Sequence, residues 1–216
     1  MFIFLKRNIT KKLKVFFIYI ICFASLIGIQ LVLRYYFFSK ELYFIAIRLQ
    51  LIVEFILLTF YFNKNFQNLL AKKLAISLIP VYILFSIFDY ILNSKIKFGA
   101  DQAIVESIFM LFILIYYFFE KIKFDIQSPL YEYKIFWIAV GFFIFFAGNF
   151  FLLITSKTMI DDLRFRQQYI FVYSTFNVFK NIILSIAIII NENNRNDSIN
   201  KIASAIDDKF FFSNPS

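Results

Sequence analysis

The stretch IFWIAVGFFIFFAGNFFLLI, Ile135–Ile154, decides the fold. It is bounded by Lys134 and Thr155, and over 20 residues it holds no charge and one side-chain amide, Asn149. At 1.5 Å per residue such a run makes a helix about 30 Å long, the thickness of a bilayer's hydrocarbon core. It does not alternate polar with apolar residues, as a strand of a membrane β-barrel would. The reading is therefore a transmembrane helix.

Five more runs have the same character: Val15–Leu33, Leu42–Phe62, Leu74–Leu92, Ala103–Phe119 and Tyr169–Ile190. Short polar links separate them, at Tyr35–Glu41, Asn63–Lys73, Asn93–Gln102, Glu120–Lys134 and Thr155–Gln168. None is long enough to be a domain. The expectation is an all-α, polytopic bundle of six spans over residues 1–190, followed by a short cytoplasmic tail at 191–216. Composition agrees. Of 216 residues 61% are hydrophobic and 17% charged, with 34 Phe but only 4 Gly and 3 Pro. So few helix breakers in so apolar a chain call for lipid as the solvent.

The basic residues before Val15 followed by an apolar run resemble a signal peptide. That run is about twice the usual length, and no small-residue cleavage site follows it before Arg34. A retained helix is expected. The net charge of +9 does not point to nucleic acid, because the basic residues lie between apolar runs, where lipid headgroups meet them. Of the 23, 14 fall on the side of the two termini and 7 on the other. The positive-inside rule then puts both termini in the cytoplasm and the loops near Lys40, Lys95 and Arg164 outside. In the tail, Ile199, Ile202, Ala203, Ile206 and Phe210 recur at helical spacing. This is a stripe for the inner leaflet or a partner, or a chance pattern in a frayed end.

Polar residues inside spans carry the functional signal. A charge at the bilayer centre costs roughly 2.5–3.5 kcal/mol on insertion scales, so it faces the bundle interior. Gln30 and Arg34 share a face of the first span, and Gln50 and Glu54 a face of the second, with Arg48 nearby. Ser86 and Asp89 lie in the third, Gln102 and Glu106 in the fourth, and Asn149 in the fifth. Ser174 and Asn177 lead towards Lys180 and Asn181 in the sixth. Nearly all of these lie in the outer half. The inner halves read Val-Phe-Phe-Ile-Tyr-Ile-Ile and Phe-Ile-Leu-Leu. Two readings stand: a polar pocket open to the outside above an apolar floor, or polar groups that only join helices. The candidate pocket residues are Gln30, Arg34, Arg48, Gln50, Glu54, Asp89, Glu106, Asn149, Asn177 and Lys180. Glu54 with Lys180 is an expected ion pair, and Arg48 has Glu106 or Asp89 as its expected partner.

Gly141 and Gly148 are seven apart on one face and read as a helix-packing seam. Trp137, Tyr131 and Tyr133 fit an interfacial aromatic belt. Only Pro80 interrupts a span, and no internal repeat marks a transporter; an apolar inner half disfavours a pore. The chain has no His, so Ser–His and His–zinc chemistry are excluded. Asp161-Asp162 with Arg164 and Arg166 lacks a second acidic cluster and reads as a solvated loop. Cys22 is alone and reads as a small hydrophobe. No enzyme activity, cofactor or metal is expected.

The pattern Ser128-Pro129, Phe136-Trp137-Ile138, Gly141, Phe145 and Gly148-Asn149 follows a helix ending Tyr116–Glu120. With Val53-Glu54-Phe55 it resembles a family of uncharacterised bacterial integral membrane proteins, over most of Phe16–Ile190. The resemblance implies a seven-helix bundle of the cytoplasmic (inner) membrane associated with signalling, often beside a histidine kinase. Met1–Leu5 then reads as the stump of a further helix. The leading functional expectation is a sensory or signalling module acting with a separate partner. A small-solute transporter or carrier subunit and a structural or assembly subunit are the alternatives.

Overall fold

The computed structural model describes residues 11–35, 40–92, 100–124, 130–159 and 163–190. These form six helices: α1 (Lys11–Tyr35), α2 (Lys40–Asn63), α3 (Leu69–Leu92), α4 (Ala100–Phe124), α5 (Lys134–Met159) and α6 (Leu163–Ile189). A 3-10 turn, Leu130–Glu132, precedes α5. There is no strand among the described residues. The N-terminal stump, the amphipathic tail and the pair Asp161-Asp162 lie outside them.

All six helices, of 24 to 27 residues, are long and apolar enough to cross a bilayer. Their flanks are large and bare: Phe171 is 73% exposed, Ile91 73% and Ile189 80%. Water does not tolerate such a surface at this density, whereas lipid does. The protein is a multi-pass membrane protein.

The short links make sequential helices antiparallel neighbours. We take the end where α1, α3 and α5 finish as the upper end. Helix α2 packs against α1, α3 and α4; α4 also packs against α3 and α5; α6 packs chiefly on α5. The lower half is a plug of rings. Phe16 lies 5.7 Å from Tyr61 and 6.4 Å from Phe142, and Phe62 and Phe66 lie 5.6 and 6.4 Å from Tyr117, centroid to centroid. All are buried. Lipid tails are as apolar as these rings, so close contact and ring geometry hold them rather than exclusion of water.

Two link boundaries shift from the sequence expectation for the same physical reason. Glu120 was placed in a link, but it belongs to α4 and is 1% exposed. Its Oε1 accepts the backbone N–H of Gln67 (2.9 Å) and of Asn68 (2.5 Å) at the start of α3. Asn68 Oδ1 in turn accepts the N–H of Leu70. With these amides satisfied, α3 begins at Leu69 and takes Lys72 and Lys73 into its first turns. Glu120→Ala is expected to cost about 1–2 kcal/mol, read as a lower unfolding midpoint in detergent. Glu120→Gln, which keeps an acceptor, should recover part of that loss.

Candidate functional site

A cavity of about 300 Å³ opens among α1, α2, α4, α5 and α6 in the upper half. Helical spacing brings its walls together. Gln50 and Glu54 of α2 are one turn apart and face it, as do Ala103, Glu106 and Ser107 of α4. From α5 come Phe145, Phe146, Asn149 and Leu153, and from α6 Tyr169 and Tyr173. The two tyrosines stack with centroids 6.2 Å apart and planes 11° from parallel. Gln30 of α1 closes one side by donating its amide N–H to Gln50 Oε1.

The two carboxylates differ in their surroundings. Glu54 Oε1 accepts the hydroxyl of Tyr19 at 2.9 Å. Glu106 is 2% exposed, and its Oε1 has no hydrogen-bond partner. The same holds for Oδ1 of Asn149, a residue 4% exposed on the adjacent helix α5. Gln102 Oε1, Thr59 Oγ1, Asn63 Oδ1, Asn65 Oδ1 and Glu120 Oε2 share that property but lie away from this cavity. Each such buried acceptor forfeits a hydrogen bond, typically about 1–3 kcal/mol.

A scan against models of protein families, a search of curated proteins and a search of solved structures find no match to this chain. The side chains themselves must therefore carry the functional argument.

Of the ten candidate residues, Gln30, Gln50, Glu54, Glu106 and Asn149 meet around the cavity. Arg48 and Asp89 do not. They pair with each other, Nη1 to Oδ2 at 2.6 Å, between α2 and α3. Gln102 donates to the Arg48 carbonyl oxygen at 3.1 Å, and the guanidinium carbon stands 5.7 Å from the Tyr90 ring centre. Asp89, not Glu106, is thus the partner of Arg48. Asn177 lies off the cavity, beside Tyr173. The side chain of Arg34 lies outside the described part.

The expected Glu54–Lys180 ion pair is corrected. Tyr19 occupies the near oxygen of Glu54, and Lys180 makes no contact ion pair with it. The ammonium of Lys180 instead stands 3.9 Å from the centre of the Phe145 ring, with Phe23 at 5.3 Å and Phe142 at 5.7 Å. That is an aromatic cage for a cation. Lys180 still reaches both carboxylates through its field, and the Tyr82 hydroxyl stands near enough to Glu106 to act on it as a hydrogen-bond donor. The sequence reading puts Tyr19 in an apolar inner half, names Phe145 only within the family-like pattern, and passes over Phe146, Tyr169 and Tyr173 as site residues. Among 34 Phe and 13 Tyr, no single ring stands out.

The glycines have distinct surroundings. A Cβ on Gly148 would lie 2.5 Å from the ring of Phe176, whereas one on Gly141 would meet Ile183 at an ordinary 3.4 Å. Trp137 Nε1 donates to the Tyr131 carbonyl oxygen at 2.7 Å at the lower end. Among the described residues, no group of three or more His, Cys, Asp or Glu side chains is placed to hold a metal ion. A second hollow of about 490 Å³, between α3 and α4, is lined by Leu74, Leu78, Phe112, Ile113 and similar residues. It offers shape but almost no polar anchor.

Proposed function

We propose that this chain is a sensory membrane module that binds a small ligand in the upper cavity and acts through a separate partner. The observation that carries the reading is the pair of buried acceptors without partners, Glu106 Oε1 and Asn149 Oδ1, that both line the cavity. Arg48, Asp89 and Gln102, by contrast, bond to one another between helices and lie off the cavity. Groups kept open beside a cavity are arranged for something that enters it.

The ring plug below the cavity supports binding over conduction, since Phe16, Tyr61, Phe62 and Tyr117 pack together there. The placement of basic residues supports an upper end facing outside and a cytoplasmic C-terminus. The resemblance to bacterial signalling-associated membrane proteins supports residence in the bacterial cytoplasmic membrane and a partner such as a histidine kinase.

The test separates the two halves of the proposal. The full chain is purified in mild detergent and its unfolding midpoint is followed against a library of small polar compounds. A compound that raises the midpoint of the parent should leave Ser107→Leu unmoved, because the added branch fills the cavity while removing only a hydroxyl bonded to its own helix at Ala103 O. Crosslinking in host membranes should then recover a signalling protein, and deletion of residues 191–216 should lose it. Uptake of the bound compound into proteoliposomes would instead make the chain a carrier. A library that shifts nothing would refute ligand sensing.

A further inference from the structure

We infer that the cavity ligand is a small protonated primary amine, an inference that rests on the reading of the cavity as a ligand site. Three independent features point to that chemistry. First, both unpartnered atoms on the cavity wall, Glu106 Oε1 and Asn149 Oδ1, are acceptors. A ligand that satisfies them must donate, and an ammonium group offers N–H donors in several directions.

Second, the charge calls for a cation. Two carboxylates, Glu54 and Glu106, line the cavity, and among the described residues no Lys or Arg does. Lys180 is held over the Phe145 ring, and Phe145 itself forms part of the wall. Among the described residues neither carboxylate makes a contact ion pair. Arg48 and Asp89 cancel each other elsewhere. A monocation can pair with such a carboxylate where a neutral or anionic guest cannot, and in a low-dielectric interior that difference is large.

Third, the walls suit an organic cation better than a metal ion. Phe145, Phe146 and Tyr173 present rings around the carboxylates. Aromatic faces attract ammonium groups and pack against an alkyl or aryl body. Hard metal cations require about six or more oxygens, and no acidic cluster of that kind exists among the described residues. The volume of about 300 Å³ equals that of about ten water molecules, which fits an amine of similar heavy-atom count.

The experiment measures binding of 2-phenylethylamine and n-pentylamine to the detergent-purified chain by equilibrium dialysis. The matched neutral probes are 2-phenylethanol and pentan-1-ol, and pentanoate is the anionic probe. At least one amine should bind about tenfold or more tightly than its alcohol. Glu106→Gln should weaken amine binding far more than alcohol binding and so remove most of that preference. Should Glu106→Gln not fold, the amine-to-alcohol ratio of the parent chain still decides, and Asn149→Asp should increase it. Ser107→Leu controls for uptake by the micelle. Equal or tighter binding of alcohol or pentanoate overturns the amine inference and leaves the receptor reading standing. No saturable binding of any class, with Ser107→Leu indistinguishable from the parent, overturns both.

Discussion

Asp89→Ala should nearly abolish folded protein. Arg48 and Asp89 are 5% and 4% exposed and meet at 2.6 Å between two spans. Removing the carboxylate leaves a guanidinium among apolar side chains with neither counter-ion nor water. Breaking a buried pair from one side typically costs about 3–5 kcal/mol, a large part of the stability of a small domain. Arg48→Met should also be harmful, because it takes the guanidinium away from the buried Asp89. The double variant Arg48→Met/Asp89→Leu should recover much of the loss, since neither charge then remains to be solvated. Folded yield by size-exclusion chromatography and the unfolding midpoint of all three variants provide the check. Losses that simply add in the double variant would mean that the two residues act independently.

Gly148→Leu is the second substitution expected to have a large effect. The end of the Phe176 ring, reaching from α6, lies so close to Gly148 that even a Cβ would overlap it at 2.5 Å. A whole side chain must push α6 away or drive the ring outward. Overpacking of this kind typically costs about 1–3 kcal/mol, and in this seam it also displaces the cavity wall formed by Tyr169 and Tyr173. Phe176→Ala in the same chain should restore stability by opening room on the opposite side. Gly141→Ala should be nearly silent, its nearest neighbour being Ile183 at 3.4 Å. Melting curves of the four chains test this. If Phe176→Ala fails to rescue Gly148→Leu, the clash lies elsewhere.

The helices were legible because their signal is cumulative: twenty apolar residues in a row admit few structures in any solvent but lipid. The polar cavity residues were legible for the complementary reason. Gln50, Glu54 and Glu106 are expensive where they stand, so each announces an inward face. Partner choice was not legible. It depends on the rotation of each helix about its axis, and strings of Phe, Ile and Leu leave that rotation undetermined. Lys180 shows the consequence. Electrostatics alone matched it with Glu54, whereas the bundle turns it onto Phe145 and gives Glu54 to Tyr19. Glu120 was misplaced because a carboxylate beside Lys121 looks like the edge of a loop. Its role appears only once the turn before α3 is folded over it.

Helix α6 leans on α5 along one edge and shows lipid the other. It therefore resembles a leaf on a hinge, with the glycine seam as the pin and the caged ammonium of Lys180 as the latch. Tyr169 and Tyr173 sit near one tip of this leaf, while Ile189 sits at the other, where the chain runs on into its last residues. Under the proposed sensory reading, a guest that pushes the tyrosines outward, or that draws the carboxylates away from the field of Lys180, would exert torque on this leaf. The helix would carry it about 24–30 Å, from the two tyrosines to Ile189 at the lower end.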